Sequence, residues 1–202
     1  MRRRQDGLCM SIEEIGIAEI HPASFRTLLA AWYRQKGARD YPPAAALDPF
    51  LAPTLLPNAI LLEVDGDRFI YRLIGDAIRQ LVGQDLRGKS VREFMGDTDY
   101  ARLIEMQFRQ TIADRVPLYS VHDFRRPEDG LTLSARRIVM PYAEGGTVTR
   151  LLAYQVAEGL DTVGGVTILE PQLLSRTVFR VMPPQAESGE TAGTGPAGAV
   201  LR

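Results

Sequence analysis

An Asp-Gly pair set between two apolar runs constrains this chain more than any other feature. Ile60-Leu61-Leu62-Glu63-Val64 precedes Asp65-Gly66, and Arg68-Phe69-Ile70-Tyr71-Arg72-Leu73-Ile74 follows it. Asp-Gly between β-branched and aromatic runs is the strongest short-range sign of a hairpin with a type I′ turn. With Asp65-Gly66 at the centre of the turn, Val64 faces Asp67, Leu62 faces Phe69 and Ile60 faces Tyr71. Glu63 then lies opposite Arg68 on the outer face, an ion pair worth roughly a few tenths of a kcal/mol. This register gathers the bulky residues on one inner face, so the alternation and the turn chemistry agree.

The rest of the chain is read outward from that hairpin. Upstream, Phe25, Leu28, Leu29 and Trp32 fall at helical spacing in a segment from Ser24, a plausible N-cap, to Lys36, with Gly37 as the stop. Residues 11–23 show no clean period. Tyr41-Pro42-Pro43 and Asp48-Pro49 then make an irregular bridge, because proline lacks a donor and restricts its predecessor. Downstream, a short helix over 77–82 follows Gly75-Asp76, a single turn falls at 92–95, and a longer helix runs from about Asp97 to Arg115. Tyr100, Leu103, Ile104, Phe108 and Ile112 share one face of that helix.

Three strands follow, at about 117–125, 131–141 and 147–157, with turns at Glu128-Asp129-Gly130 and Glu144-Gly145-Gly146. Apolar parity slips in the middle strand between Ala135 and Ile138, which predicts a bulge at Arg136-Arg137. Val166–Leu169 and Thr177–Val181 can pair briefly. From Pro184 the Gly/Ala/Pro/Ser/Thr-rich sequence predicts a disordered tail.

Composition closes several doors. A net charge of −1 argues against nucleic-acid binding, and Arg125-Arg126 and Arg136-Arg137 read as solvated strand faces. Cys9 is the only cysteine, which excludes an internal disulfide and suits a reducing compartment. No apolar run approaches the roughly 20 residues of a membrane helix, so the expected location is cytoplasmic, away from membranes. Met10 can serve as a start as well as Met1.

The order strand, strand, short helices, long helix, three strands is that of a PAS domain. Within it, Gly83-Gln-Asp-Leu-Arg-Gly-Lys-Ser-Val-Arg-Glu-Phe94 resembles the PAS segment in which a leucine, a glycine and a basic residue precede a short helix. Trp32 to Pro57, Phe69–Gly75 and Arg137–Tyr142 look like those of stand-alone bacterial PAS proteins with no fused output domain. The resemblance covers roughly residues 24–157. It implies an α+β fold: a PAS-like five-stranded antiparallel sheet with helices on one face, here with an N-terminal helical extension and a disordered C-terminal tail. It also implies a cavity between sheet and helices, and sensing or protein interaction, usually as a dimer. The corresponding divisions are 1–23 (N-terminal extension), 24–57 (helix and proline-rich bridge), 58–158 (PAS-like domain), 159–183 (C-terminal extension) and 184–202 (tail).

Absent chemistry narrows the function. PAS-type light sensors need a cysteine in the helical region and haem sensors an axial histidine on the long helix; neither is present, so no cofactor is expected. His21 and His122 lack metal-ligand spacing, and no metal site is expected. Asp123, Tyr119 and Tyr142 can be drawn as an acid–base site like that of a cone-fold isomerase or hydrolase, but a charged turn and ordinary strand tyrosines account for them, so no catalytic residue is assigned. Gly145-Gly146 precedes no helix and is a hairpin turn.

The candidate cavity lining is Leu62, Phe69, Tyr71, Leu103, Phe108, Leu133 and Tyr154, against the alternative of a filled core. The apolar stripe Phe25, Leu28, Leu29 and Trp32 packs either on its own sheet or across a homodimer, and the dimer is the expectation. The functional expectation is a non-enzymatic sensory or protein-interaction module acting in trans on a signalling partner. A sensor or carrier of a small metabolite is the alternative.

Overall fold

Seven strands form one mixed sheet in the order β1-β7-β4-β5-β6-β2-β3. The strands are β1 (Ile12–Gly16), β2 (Ala59–Asp65), β3 (Arg68–Ile74), β4 (Leu118–Arg125), β5 (Thr132–Glu144), β6 (Thr147–Glu158) and β7 (Gln172–Met182). Four helices accompany them: α1 (Ala23–Lys36), α2 (Asp76–Val82), α3 (Val91–Met95) and α4 (Asp99–Asp114). The computed structural model describes residues 12–47, 53–125, 130, 132–158 and 172–184, without the side chains of residues 124, 133, 158 and 172–174. The expected tail beyond Pro184, the pairing at Val166–Leu169 and Cys9 lie outside the described residues.

The five expected strands are present as β4-β5-β6-β2-β3, all antiparallel. The sheet is nonetheless seven-stranded, a correction to the expected five. β7 pairs antiparallel with β4 along the whole of β4, and β1 joins β7 in parallel. β1 is five residues at an edge, too short and too exposed to show a period in sequence.

The hairpin forms with its turn one residue later than expected. Asp65 pairs with Arg68, Val64 with Phe69 and Leu62 with Tyr71, so Gly66 and Asp67 are the central residues. Gly66 has φ 58° and Asp67 is not in the left-handed region, the pattern of a Gly-X type II′ turn. A type I′ turn at Asp65-Gly66 would force Asp65 to positive φ; starting at Gly66 leaves that conformation to the residue with no Cβ. Glu63 therefore bonds Arg72 at 2.6 Å, and Arg68 reaches Glu93 at 3.5 Å. A bulge at Leu61/Leu62 keeps Ile60, Leu62, Phe69 and Tyr71 in one apolar cluster.

Both faces of the sheet are covered, which corrects the expectation of helices on one face. Val139, Leu151 and Ala153 face Ile78 of α2, Val91 of α3 and Ala101, Ile104 and Phe108 of α4. Ile138, Met140, Tyr142, Leu152 and Tyr154 instead meet α1. This double coverage explains the parity slip in β5. Its register against β4 and β6 runs unbroken through Arg136-Arg137, and the bulge lies at Tyr142/Ala143. Apolar residues switch parity because each face has its own cover, and Arg137 is buried rather than solvated.

The α1 stripe belongs to this chain's own core. Phe25, Leu28, Leu29 and Trp32 are all fully buried. Phe25 meets Tyr119 and Tyr154 edge-on with centroids 5.9 and 5.5 Å apart, and the Trp32 indole Nε1–H donates to the Pro141 carbonyl at 2.9 Å. The expected dimer interface at these residues is thus replaced by intramolecular packing. A sheet face carrying Tyr119, Ile138, Met140, Tyr142, Leu152 and Tyr154 needs an apolar cover, and α1 is the nearest one in sequence.

The proline bridge is pinned rather than loose where it is described. Ala143 N–H donates to the Pro42 carbonyl at 3.0 Å, and the Tyr41 hydroxyl donates to the Ile112 carbonyl at 2.7 Å. At its far end the backbone presses on Gly75: a Cβ there would lie 2.1 Å from the Leu56 carbonyl oxygen. Gly75 N–H donates to Ala59 O at 2.8 Å, which fixes where α2 begins.

Candidate functional site

Two short helices cannot cover the end of the sheet as α4 covers its middle, and a cavity of about 70 Å3 remains beneath them. Gly75 starts α2 and Gly83, at φ 75°, ends it after seven residues. Leu86 and the Ser90–Glu93 capping box of α3 complete the wall: Ser90 N–H donates to Glu93 Oε2 at 2.6 Å and Glu93 N–H to Ser90 Oγ at 3.3 Å. Ile78, Leu81 and Val82 of α2, Phe94 and Met95 of α3, and Ile60, Tyr71 and Ile74 of the hairpin make most of the lining apolar.

Tyr100, Arg137 and Gln155 form the polar end. Arg137 and Gln155 are direct partners across β5 and β6. The guanidinium donates to Gln155 Oε1 through Nε (2.9 Å) and Nη2 (2.5 Å), and Nη2 also donates to the Tyr100 hydroxyl at 3.2 Å. Nη1 is buried with no partner. Arg137 is only 7% exposed, and no carboxylate among the described residues pairs with it. A buried guanidinium held only by neutral groups costs roughly several kcal/mol of desolvation that no counter-charge offsets.

Two neighbouring titratable groups, His122 and Tyr71, are kept neutral. His122 on β4 is buried, bonded ring Nε2 to Gln107 Nε2 at 3.0 Å, with Tyr100 edge-on at 6.2 Å. Burial, then the charges of Arg137 and Arg176, pull its pKa down to about 3, so the ring is uncharged near neutral pH. Burial pushes the Tyr71 phenol above its ordinary value. The buried carboxylate of Glu105 points its charge elsewhere: Arg92 of α3 and Arg109 of α4 hold it at 3.0 and 3.4 Å.

Of the residues expected to line a cavity, Tyr71 does. Leu62, Phe69 and Phe108 are solid core, Phe69 meeting Phe108 edge-on at 5.1 Å, and Leu103 is buried outside the lining. Tyr154 lies on the opposite face, under α1. The Leu133 side chain lies outside the described residues. Asp123, Tyr119 and Tyr142 do not converge: Tyr119 and Tyr142 pack under α1, and hydroxyls of Ser175 and Ser134 hold the Asp123 carboxyl below its ordinary pKa. His21 sits before α1 with Nδ1 3.4 Å from Arg26 Nη1. Among the described residues no group of three His, Cys, Asp or Glu side chains gathers as a metal site, and no helix is long and apolar enough to cross a membrane.

Sequence reasoning missed Arg137, Gln155 and the α2–α3 lining. A signal for Arg137 was available: it shares parity with Ala135 and Val139, which face the helices. Placing a bulge at Arg136-Arg137 hid that parity.

The chain belongs to the PAS domain family, whose model matches residues 20–154, and so is a signal-sensing module. No curated protein matches it. Among solved structures it is similar to a light-oxygen-voltage domain studied with a flavin analogue (20% identity over 57% of this chain and 87% of that one, TM-score 0.40). It is also similar to an RNA-binding light-oxygen-voltage receptor (20%, 56% and 33%, TM-score 0.39) and to the PAS domain of an HTR-like protein from Haloarcula marismortui (20%, 52% and 86%, TM-score 0.35). At these scores the likenesses carry no argument about ligand or mechanism.

Proposed function

We propose that this PAS module senses by binding, not by catalysis, and passes its state in trans to a separate signalling protein in the cytoplasm. The supporting observation is the cavity under α2 and α3, where the buried Arg137 has an unpartnered Nη1. Of the two readings open from sequence, this favours the sensor of a small molecule over a module that only docks proteins. Occupancy has a mechanical route outward, because the same short helices wall the cavity and tie to α4 through Arg92 and Glu105. A homodimer, if it forms part of the output, uses a surface other than the α1 stripe.

The test is native mass spectrometry of the purified protein after exposure to the small-molecule fraction of a bacterial extract, with amide exchange read in parallel. A retained mass together with slowed exchange in residues 76–95 is expected. No retained mass and unchanged exchange, or turnover of an extract component, refutes the reading.

A further inference from the structure

We propose that the cavity under α2 and α3 takes a short-chain monocarboxylate, its carboxylate bonded to Arg137 and its hydrocarbon end among Ile78, Leu81 and Met95. This assignment rests on the sensory reading above and names the ligand class for that site.

The polar end of the cavity presents the Arg137 guanidinium, a donor. Guanidinium is donor-only, so the Gln155 amide must turn its oxygen toward Arg137, and that oxygen receives both bonds. Arg137 Nη1 is left buried without a partner. An unused, charged donor at the end of a cavity matches an acceptor-only anionic group such as a carboxylate. An anion also supplies the missing counter-charge among the described residues. His122 stays neutral beside the guanidinium and Glu105 is held by Arg92 and Arg109, so neither fills that role.

The remaining lining sets the size and the second half of the ligand. The wall away from Arg137 is aliphatic and aromatic, which disfavours a small inorganic anion whose every face needs hydrogen bonds. About 70 Å3 is several times the ~15 Å3 that admits one water, room for about five heavy-atom groups. It is well below the roughly 300–1,000 Å3 of pockets that bury drug-sized ligands. Acids of about three or four carbons, with their two oxygens, fit both limits.

The experiment titrates the full chain with sodium butyrate, butyramide and inorganic phosphate, following methyl resonances of Ile60, Ile78 and Leu81 by NMR. Saturable shifts with butyrate are expected, with butyramide at least about tenfold weaker, as loss of a charge-assisted bond requires. R137Q should lose about tenfold or more for butyrate and leave butyramide unchanged. If R137Q does not fold, Leu81→Phe keeps the guanidinium and fills the apolar end; it should abolish butyrate shifts. Equal binding of butyramide, equal binding of phosphate, or butyrate shifts that survive Leu81→Phe would overturn the assignment. A neutral extract molecule found in this cavity overturns the carboxylate alone, whereas a cavity silent to all small molecules removes the sensory reading as well.

Discussion

Acidification from pH 7 to pH 5 should destabilise this fold through one residue, His122. Its folded pKa of about 3 lies below the ordinary 6.5, because burial and the charges of Arg137 and Arg176 oppose protonation. A lowered folded pKa gives stability that is complete above the unfolded value and lost as pH falls toward the folded one. At pH 5 the unfolded chain holds a proton on His122 that the folded chain refuses. Integrating one proton between pH 7 and pH 5 gives a loss of about 2 kcal/mol. The result changes little with the folded value while that value stays below about 4, because the folded ring is then neutral throughout. For a chain of this length the loss lowers the melting temperature by about 4–8 °C.

The assay is thermal unfolding of wild type and H122Q at both pH values and fixed ionic strength. H122Q loses stability at both, since Gln107 loses its ring partner, so the informative quantity is the pH-dependent difference. Carboxyls with lowered pKa, Asp123 and Glu63 among them, fall away in the same direction but chiefly at lower pH, and they are common to both proteins. H122Q should be flatter by most of the 4–8 °C. If both proteins lose the same amount, His122 is not held neutral in the fold and the burial argument fails.

Two further outcomes follow from packing. L28E/W32A should unfold rather than yield a folded monomer, since Trp32→Ala alone costs about 3–5 kcal/mol at a fully buried site; a folded, smaller species in sedimentation would restore the dimer interface. Gly75→Ala should cost about 2 kcal/mol or more in urea unfolding, because its methyl meets the Leu56 and Pro57 carbonyls at 2.1 and 2.3 Å. A cost below about 0.5 kcal/mol would show that the bridge does not press on α2.

The core of the fold was legible because several local rules agreed over the same residues. Alternation and turn chemistry located β2 and β3, and helical spacing located α1 and α4, with Gly37 as the stop of α1. The turn slipped by one residue because Asp65-Gly66 and Gly66-Asp67 both satisfy a composition rule, and only the backbone sign at Asp65 separates them. The parallel strand β1 was not legible. Its pairing with β7 joins Ile12 to Val178, and no local pattern reports a partner so far along the chain.

The site was harder to read because its decisive residue breaks the rule used to find sites. The expected lining, Leu62, Phe69, Leu103 and Phe108, was chosen for apolarity, and those side chains fill space so well that no cavity remains beside them. The cavity exists where filling stops, under two helices of seven and five residues. It keeps open beside Arg137, a residue that sequence logic assigns to water. An arginine at inward parity between Ala135 and Val139 is therefore the more informative anomaly. Folding tolerates the cost of burying it with only Gln155 and Tyr100 as neutral partners, and a structural role alone would be met as well by an apolar side chain of similar volume. A charge retained at such a cost is explained when a counter-ion arrives with the ligand, so the stability of R137M is a direct companion measurement. An unliganded R137M more stable than wild type would place the cost of Arg137 on folding and its use in binding; a large loss would make the guanidinium structural.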